Sequence, residues 1–307
     1  MITTLAGGVG AARLLAGLVQ VVEPADLVAV VNTGDDLVLH GLEISPDLDT
    51  VTYTLAGAID PERGWGLAGE TWQAMETLRR YGGDAWFNLG DRDLGTHLYR
   101  TARRRAGATL SEVTAEIVAA WGLGLTVLPV TDDLLRTWVT VEGGEISFQE
   151  YFVGRQHSVP VSAVRFEGAE AARPAPGVLA TIEQATMVVI APSNPIVSIG
   201  PLLAVPGVRD AVQARRDDVV AVSPIVAGAA LKGPADRLLV ELGHESSVVG
   251  IARLYTELAA TLVIDEADAD LAGEVEATGM RCVVAPTIMS TPAASAALGR
   301  TVLEARR

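Results

Sequence analysis

The stretch Ile-Thr-Thr-Leu-Ala-Gly-Gly-Val-Gly-Ala-Ala-Arg, residues 2–13, joins a short apolar run to a glycine loop and then to a helical stretch. Ile2–Ala6 predicts a buried strand, and the helix is predicted to begin near Ala11. A second apolar run, Leu27–Asn32, follows that helix. Continuous rather than alternating apolarity is typical of parallel strands that are covered on both faces. The start of the chain therefore predicts a strand–loop–helix–strand unit.

The same rhythm returns in the last third of the chain. Four further short buried strands are predicted there, at Met187–Ala191, Val219–Ser223, Leu262–Asp265 and Arg281–Ala285. Helix-like stretches separate them, and Thr291-Pro292 supplies an N-cap and a first-turn proline for the last helix. Strands alternating with helices predict an α/β fold with a doubly wound, Rossmann-like parallel sheet and right-handed crossovers.

The residues between the second strand and Met187 follow another pattern. Three helices and a β-hairpin are predicted there, at Gly69–Tyr81, Leu94–Arg105 and Leu110–Trp121, and at Arg136–Val141 with Glu145–Val153. We therefore expect residues 61–175 to form a largely helical insertion with a β-hairpin that caps the active edge of the sheet. Residues 1–60 and 176–307 would form the nucleotide-binding core.

Composition limits the classes of function. The 307 residues are 49% hydrophobic with a mean hydropathy of +0.32, which excludes a disordered chain. The formal net charge of -15 would repel nucleic acid and anionic membrane surfaces, so neither is an expected partner. Cys282 is the only cysteine, which excludes an intrachain disulfide and a cysteine-based zinc cluster.

One uncharged stretch, Gln184–Val208, has enough residues to span a bilayer if it were one helix. Four prolines and several polar residues interrupt it, so a continuous helix is not expected. We predict a buried strand, a ligand-facing loop and a short helix instead. The N-terminus has no basic leader before its glycine loop, and we expect a cytoplasmic protein without a membrane segment.

The glycine loop Gly7–Gly10 lies where α/β folds bind phosphate, because glycines allow close backbone approach and the next helix opens with free N–H groups. Arg13 would add a positive charge one turn later. Arg13 also occupies the position at which a dinucleotide fingerprint needs a small residue, and Asn32-Thr33-Gly34 offers no acidic residue for a ribose. A dinucleotide dehydrogenase is therefore disfavoured, and a tight turn without a ligand is the alternative.

Carboxylates follow the second predicted strand. Asp35 and Asp36 leave its carboxyl end, and Asp47 and Asp49 come shortly afterwards. Open α/β sheets bind ligands at that edge, and carboxylates brought together there suit a hard cation such as Mg²⁺. For any single aspartate, capping of a helix is an equal alternative. For the group as a whole, ligation is the favoured interpretation.

Three further loops carry candidate residues. Asp91 and Asp93 lie in an acidic, glycine-containing loop ahead of His97, and a single histidine is either an acid–base group or a packing residue. Asn194 follows the strand that begins at Met187 and offers a donor and an acceptor to a purine, although Asn-Pro also favours a plain turn. Lys232 is the only lysine and lies in a glycine- and proline-containing loop, which favours a phosphate contact over an exposed lysine without a functional role.

Eight stretches spread along the chain form a recognisable set: Gly7–Arg13, Val31–Asp36, Ile44–Thr50, Tyr53–Gly57, Leu89–Asp93, Phe148–Glu150, Ala191–Pro195 and Ser223–Ile225. Together they resemble the 2-phospho-L-lactate transferase / phosphoenolpyruvate transferase family of coenzyme F-420 biosynthesis. Ala11 departs from the pattern, since family members often carry another glycine there.

The resemblance implies a Mg²⁺-dependent transferase of phosphorus-containing groups. Such an enzyme joins a three-carbon acid, 2-phospholactate or phosphoenolpyruvate, from its guanosine diphosphate derivative to the deazaflavin alcohol Fo. GMP is released, and the product is F-420-0 or its dehydro form. The resemblance also implies a homodimer. Which acid is transferred stays open, with a glycerate analogue as a third possibility.

The resemblance implies residue roles as well. Asp35 and Asp49 would hold the metal, while Asp36 and Asp49 would be catalytic, Asp36 as a base or an alternative ligand. The nucleotide side would consist of Gly8, Val9, Gly10, Arg13, Asn194 and Lys232. The deazaflavin side would consist of Asp35, Asp91, Asp93 and His97.

Two other classes of protein stay open. A regulatory relative of the same superfamily binds sugar nucleotides, but it typically carries Gly-Gly-Ser after its Asp-Asp pair, where this chain has Leu37-Val38-Leu39. The other class is a nucleotide-dependent transferase with a different acceptor. Deazaflavin binding in the presence of a guanine nucleotide would separate the three.

Overall fold

The computed structural model describes residues 1–306. These residues form fourteen strands: β1 Ile2–Ala6, β2 Leu27–Val31, β3 Leu37–Leu39, β4 Leu42–Ile44, β5 Thr126–Pro129, β6 Arg136–Val141, β7 Gly144–Ser147, β8 Val161–Glu167, β9 Met187–Ile190, β10 Val219–Val222, β11 Ile225–Val226, β12 Ala229–Ala230, β13 Thr261–Ile264 and β14 Arg281–Val284. Residue 307, the last of the predicted core, lies outside the described part.

The same residues form twelve α-helices: α1 Gly8–Leu18, α2 Pro46–Leu55, α3 Gln73–Arg80, α4 Asp93–Arg105, α5 Leu110–Ala120, α6 Val178–Gln184, α7 Gly200–Ala204, α8 Val208–Ala214, α9 Ala235–Glu241, α10 Val248–Tyr255, α11 Ala272–Ala277 and α12 Pro292–Glu304. Two π-helical turns, Glu150–Gly154 and Pro195–Ile199, lie in the connections. The predicted Thr291 N-cap of the last helix is confirmed, because its side chain accepts a hydrogen bond from the N–H of Ala294.

Seven strands form one parallel sheet in the order β14-β13-β10-β9-β1-β2-β5. Ile2 of β1 pairs with Leu27 on one side and with Met187 on the other. The chain therefore winds outward in one direction through β2 and β5, and in the other direction through β9, β10, β13 and β14. The order of the strands reverses between β1 and β9, which is the switch point where open α/β sheets bind ligands.

Helices cover both faces of the sheet, as the continuously apolar strands predict. Alternate residues of each strand enter two separate cores, so that Leu5 of β1 faces one core and Ala6 faces the other. Helices α1, α2 and α12 pack on one face, where α1 crosses α12 so closely that a side chain at Gly17 would meet the carbonyl oxygen of Ser295 at 2.1 Å. The predicted doubly wound α/β fold is confirmed.

The prediction of residues 61–175 as a separate insertion needs a correction. The strand β5, Thr126–Pro129, lies within that range but pairs in parallel with β2 and forms the edge of the main sheet. The predicted helices are present as α3, α4 and α5. The predicted hairpin is part of a three-stranded antiparallel sheet in the order β7-β6-β8, and its second strand ends at Ser147 because a π-helical turn follows.

The uncharged stretch Gln184–Val208 folds as predicted into a buried strand, a loop and short helical segments. Within residues 1–306 no single helix is long and apolar enough to cross a membrane. One bent pair, Pro195–Ala204 with Val208–Ala214, meets the length and composition requirements together, with a bend of 97° between its two parts.

Candidate active site

A cavity of about 840 Å³ opens at the carboxyl edge of the sheet, at the switch point between β1 and β9. The loops after β1, β9 and β10 form one side of it. Helices α2 and α4 and the loops at 63–66, 86–88 and 230–234 form the other side. Chain segments that are far apart in the sequence therefore converge on one space, including most of the predicted site residues.

Contacts with neighbouring segments determine the conformation of the glycine loop. Gly8 has a φ of 71°, a backbone conformation that favours glycine. A side chain at Gly10 would lie 2.2 Å from the carbonyl oxygen of Pro192, so the loop packs directly on the segment after β9. The N–H of Gly7 donates a hydrogen bond to the hydroxyl of Ser193 at 3.2 Å. These contacts hold the N-terminal end of α1 open toward the cavity.

Three carboxylates, which we call the strand-end cluster, lie beside this loop: Asp35 and Asp47, which are buried, and Asp36, which is half-buried. The amide of Asn32 donates to Asp47 Oδ2 at 2.9 Å, and the backbone N–H of Gly8 also binds Asp47. Burial and the neighbouring carboxylates of Asp47 and Asp36 raise the pKa of Asp35 well above its usual range. Burial likewise raises the pKa of Asp47 to about 6. None of these three carboxylates forms a salt bridge among the described residues, so protonation or a bound cation would relieve their mutual repulsion.

Asp36 does not fit its predicted catalytic role. It is half-buried and does not line the cavity, whereas Asp35 and Asp47 do. Its Oδ2 accepts a hydrogen bond from the hydroxyl of Ser45 at 2.7 Å, which turns the side chain toward the segment that precedes α2. Asp36 therefore contributes charge to the strand-end cluster without facing the cavity.

A second group, which we call the helix cluster, joins α2 to α4 and consists of Asp49, Asp93, His97 and Arg100. All four side chains are buried, and all but Arg100 line the cavity. The Arg100 guanidinium binds both oxygens of the Asp49 carboxylate, with Nη1 3.1 Å from Oδ2. Here the protein supplies its own positive charge against a buried carboxylate.

Asp93 and Tyr53 extend the helix cluster along the cavity wall. The Tyr53 hydroxyl donates to Asp93 Oδ1 at 2.6 Å, and Nε2 of His97 lies 3.4 Å from Asp93 Oδ2. Burial would raise the pKa of Asp93, but His97, Tyr53 and the charge of Arg100 outweigh it and lower that pKa. Burial, together with the charges of Asp49 and Asp93, raises the pKa of Tyr53 far above its usual range, so the phenol stays protonated.

The two clusters differ in their fitness for a hard cation. In the strand-end cluster, Oδ1 of Asp35 is buried and has no hydrogen-bond partner among residues 1–306, and of the neighbouring carboxylates Asp47 raises the pKa of Asp35 most. Oxygen atoms of this kind suit Mg²⁺. Both oxygens of Asp49, the second member of the predicted metal pair, are bound by Arg100, which makes Asp47 an alternative partner for Asp35; the pair of Asp35 and Asp49 stays a prediction.

Side-chain atoms of Asp49, Asp93 and His97 also lie within 4.8 Å of one another, a spacing that a metal ion could bridge. The buried guanidinium of Arg100 contacts both Asp49 and His97, so one of the two carboxylates in this group already has a counter-charge from the protein.

Asp91 lies outside the cavity, contrary to its predicted place on the deazaflavin side. Its carboxylate accepts hydrogen bonds from the N–H groups of Gln73 and Ala74, both at 3.0 Å, at the start of α3. The hydroxyl of Thr71 and these N–H groups hold the pKa of Asp91 below its usual range. The carboxylate therefore satisfies free N–H groups at the start of α3 from a position 18 residues later in the chain.

The nucleotide-side candidates Gly8, Val9, Gly10, Arg13, Asn194 and Lys232 all line the cavity. Oδ1 of Asn194 accepts hydrogen bonds from the N–H groups of Ile196 and Val197, so only its amide nitrogen is left for a ligand. Within the described chain, neither Arg13 nor Lys232 forms a salt bridge. Both cations are therefore available to an anionic ligand.

Aromatic side chains line the cavity away from the glycine loop: Trp65, Trp86, Phe87, Phe148 and Phe152. Trp65 and Trp86 are 42% and 37% exposed, which is unusual for tryptophan inside a binding cavity without a ligand. The rings of Phe148 and Phe152 stack with centroids 5.6 Å apart. One end of the cavity is therefore polar and charged, and the other end offers flat apolar surfaces.

Comparison with known proteins agrees with this architecture. The sequence pattern of the family described as 2-phospho-L-lactate transferase CofD matches residues 2–288. The chain belongs to this family. It is 48% identical over 309 residues to a phosphoenolpyruvate transferase of Streptomyces griseus, with 99% of this chain and 97% of the relative covered. A phosphoenolpyruvate transferase of Mycolicibacterium smegmatis is 41% identical, with 99% and 98% covered.

Membership of the 2-phospho-L-lactate transferase CofD family makes the chain a transferase, and it connects that activity to coenzyme F-420 biosynthesis. Two solved structures of a Bacillus halodurans protein of the UPF0052 family resemble the fold. Their TM-scores are 0.65 and 0.62 at 14% and 16% sequence identity, and 98% of each chain is covered. At such identity the likeness concerns the fold alone.

Sequence reasoning missed Arg100, Tyr53 and the aromatic end of this family member's cavity. Asp93, His97 and Arg100 lie four and three residues apart on α4, which places them on one helical face. That spacing of polar residues, had it been compared with the buried face of the helix, was a usable signal. Arg100 and Asp49 are 51 positions apart in the sequence, so no local pattern predicts their contact.

Proposed function

We propose that the chain transfers a phospho-three-carbon acid from its guanosine diphosphate derivative to the deazaflavin alcohol Fo, with release of GMP. Two substrates of unlike character have to lie side by side in such a reaction. The observation that carries the proposal is the single cavity whose one end is a glycine loop with free cations and whose other end is aromatic. Phosphates suit the first end and a flat deazaflavin suits the second.

We infer that the acid is phosphoenolpyruvate rather than 2-phospholactate. The relatives from Streptomyces griseus, Streptomyces coelicolor and Mycolicibacterium smegmatis, which are 41–48% identical to this chain, are named phosphoenolpyruvate transferases. The product would then be the dehydro form of F-420-0. The two acids differ by few atoms, so a direct comparison of both donors is part of the test.

The nucleotide end is assigned to residues that present positive charge or N–H groups. Gly8, Val9 and Gly10 open α1, and Arg13 and Lys232 bring cations without an acidic partner among the described residues. The amide nitrogen of Asn194 is left to donate to the guanosine side. These groups offset phosphate charge and fix the donor for attack.

Asp35 and Asp47 would hold the Mg²⁺ of this reaction, since their carboxylates are buried, face the cavity and lack a protein cation. When bound, the ion would offset the negative charge of the phosphate oxygens. Its binding would also relieve the repulsion between the carboxylates of the strand-end cluster.

Asp49 is assigned to the attacking hydroxyl of Fo, and Asp93 and His97 are assigned to the same side of the cavity. The hydroxyl oxygen forms a bond to the phosphorus that carries the acid, and the bond from that phosphorus to the GMP phosphate oxygen breaks. The hydroxyl proton becomes strongly acidic once its oxygen bonds to phosphorus. A carboxylate held by Arg100, although a weak base, then suffices to accept it.

Binding of Fo followed by its own fluorescence, with and without GDP and Mg²⁺, tests the two-substrate cavity. We expect saturable binding that nucleotide and metal strengthen. Transfer from guanosine-diphospho-linked phosphoenolpyruvate and phospholactate, followed by mass spectrometry of the product, then compares the donors.

Two variants sharpen the assay. Asp49→Asn should abolish measurable transfer, whereas Asp91→Asn, which keeps one acceptor oxygen at the start of α3 and lies outside the cavity, should retain both transfer and Fo affinity. Absence of Fo binding under every condition would overturn the deazaflavin assignment. Equal loss in both variants would overturn the placement of the reaction beside Asp49.

A further inference from the structure

Arg100 is a fully buried arginine whose polar partners face the cavity while it does not. Its side chain is 2% exposed and lies behind Asp49 and His97, both of which line the cavity. An arginine in such a place acts on a ligand only through the groups it holds. The question is whether it merely fills the core between α2 and α4 or sets the geometry of those two groups.

The contact with Asp49 is a two-point one. Nη1 and Nη2 of Arg100 each donate to a different oxygen of the carboxylate, and Nη1 also lies 3.4 Å from the backbone carbonyl oxygen of Glu43. A guanidinium that donates from both of its Nη atoms to one carboxylate fixes the plane of that carboxylate as well as its position. Arg100 binds the Asp49 carboxylate from the side away from the cavity, so the side that lines the cavity stays accessible to a ligand.

The contact with His97 determines which ring nitrogen carries the proton. Nη1 of Arg100 lies 3.3 Å from His97 Nδ1, and a guanidinium has only donors. Nδ1 must therefore be the accepting nitrogen, and the proton of the neutral ring lies on Nε2. Nε2 lies 3.4 Å from Asp93 Oδ2, close enough for an ionic contact but without a hydrogen bond of good geometry. One arginine thus orients a carboxylate and an imidazole that both border the acceptor end of the cavity.

Burial of the ion pair between Arg100 and Asp49 costs free energy, which a purely structural role would not justify. Burial lowers the pKa of Arg100, yet the charge and hydrogen bonds of Asp49 outweigh it and raise that pKa, so the guanidinium stays charged inside the protein. A buried ion pair is often replaceable by well-packed apolar side chains without loss of stability. Stability alone gives little reason for this pair, whereas fixed orientation of two cavity-lining groups gives a direct one.

We propose that Arg100 is a positioning residue of the transfer reaction, which holds the Asp49 carboxylate toward the acceptor hydroxyl and keeps His97 in the form with its proton on Nε2. The inference rests on the proposed function for the reaction that it serves. Its geometric part, the orientation of Asp49 and His97, is independent of which substrates bind.

Arg100→Lys tests the catalytic part, because lysine keeps the charge but cannot bind both Asp49 oxygens and His97 in the same fork. We expect kcat to fall about tenfold to a hundredfold, with KM for donor and acceptor unchanged and thermal unfolding close to that of the wild type. Arg103→Lys is the matched control, since Arg103 lies on the same helix and pairs with Glu116 at the surface. It should leave kcat unchanged. An unchanged kcat in Arg100→Lys, or a loss that only follows a lowered Tm, would overturn the proposal.

Nitrogen-15 NMR of the histidine side chains tests the geometric part without any substrate. At mildly alkaline pH, where a free imidazole is neutral, His97 of the wild type should show a protonated Nε2 and an unprotonated Nδ1, with its signals assigned by their loss in His97→Gln. In Arg100→Lys this fixed form should give way to a mixture of both. A proton on Nδ1 in the wild type would overturn the proposal, even if Arg100→Lys does not fold.

The two measurements also separate this inference from the proposed function. A wild-type protein with the expected His97 form but without Fo transfer would contradict the proposed substrates and leave Arg100 as the residue that orients Asp49 and His97. A wild-type protein that transfers to Fo but carries the other histidine form would contradict the role of Arg100 alone.

Discussion

Two buried acidic clusters border the same cavity, and they solve the problem of buried charge in opposite ways. The helix cluster contains Arg100, whose guanidinium binds Asp49 and lies against His97. The strand-end cluster brings Asp35, Asp36 and Asp47 together without a basic side chain of its own. Burial of a carboxylate is costly unless it is paired, so the first cluster is complete within the chain and the second awaits a cation.

The difference explains why similar residues have different uses. Asp47 and Asp49 are two residues apart on α2, yet Asp47 turns toward Asn32 and the glycine loop while Asp49 turns toward α4. A carboxylate that the chain has already neutralised is suited to orient a hydroxyl group. A carboxylate that it has left unpaired is suited to bind a metal ion beside phosphates. The division of labour lies in the partners rather than in the aspartates.

Replacing one carboxylate in each cluster by its isosteric amide should change stability in opposite directions. Asp49→Asn leaves the buried guanidinium of Arg100 without its counter-charge, and we expect a loss of about 3–5 kcal/mol in the free energy of unfolding. Asp35→Asn removes repulsion with Asp47 and Asp36, so the metal-free protein should become more stable, by a smaller amount. Urea unfolding of the three proteins in EDTA measures both effects.

Glu116→Gln serves as the reference for this comparison, because it breaks an ion pair with Arg103 at the surface and should leave the unfolding midpoint near that of the wild type. A fall in stability of similar size in Asp35→Asn and Asp49→Asn would mean that the two clusters are not different in kind.

Stability should also respond to pH and Mg²⁺ through the strand-end cluster. The rise in the pKa of Asp47 from 3.8 to about 6 corresponds to about 3 kcal/mol. Because the folded-state pKa is the higher one, this contribution is fully present below about pH 4 and is lost as the pH rises through about 6. Asp35 acts in the same direction. The lowered pKa of Asp93 acts in the opposite direction, so the total slope alone is not diagnostic.

The difference between unfolding series with EDTA and with millimolar Mg²⁺ isolates the strand-end cluster. Mg²⁺ binds the ionised carboxylates, so its stabilising effect should be absent near pH 4 and grow toward pH 7. Asp35→Asn should reduce that growth, whereas Glu116→Gln should not. Parallel pH profiles with and without Mg²⁺ would contradict the assignment of the cation to Asp35 and Asp47.

The fold was largely predictable, because local sequence patterns predict most strands of the sheet. Continuous apolar runs located β1, β2, β9, β10, β13 and β14 to within a residue at each end. The strand β5 escaped because Thr126–Pro129 has four residues, begins with an exposed threonine and ends with a proline at the sheet edge. Such a segment looks like a connection unless its partner β2 is known.

The site was predictable in its members and less so in their partners. The glycine loop, Asp35, Asp49, Asp93 and His97 do converge on one cavity, as their places after strands and in helices indicated. Which carboxylate would be neutralised by Arg100 depends on how α4 packs against α2, a tertiary contact without a local signature. Asp91 is a similar case, since it binds the N–H of Gln73 from a position 18 residues later in the chain.

Removing a neutral hydrogen-bond donor from the helix cluster should have the smallest of these effects. Tyr53→Phe deletes the hydroxyl that donates to Asp93 Oδ1 at 2.6 Å, so one oxygen of a buried carboxylate loses its partner. We expect a cost of about 2 kcal/mol in the free energy of unfolding. Tyr151→Phe is the matched control, because the hydroxyl of Tyr151 is buried without a partner among residues 1–306 and its removal should be neutral or stabilising. Urea unfolding of both variants decides the matter, since a Tyr53→Phe protein as stable as Tyr151→Phe would show that Asp93 does not depend on Tyr53 and that the helix cluster is complete with Arg100 and His97 alone.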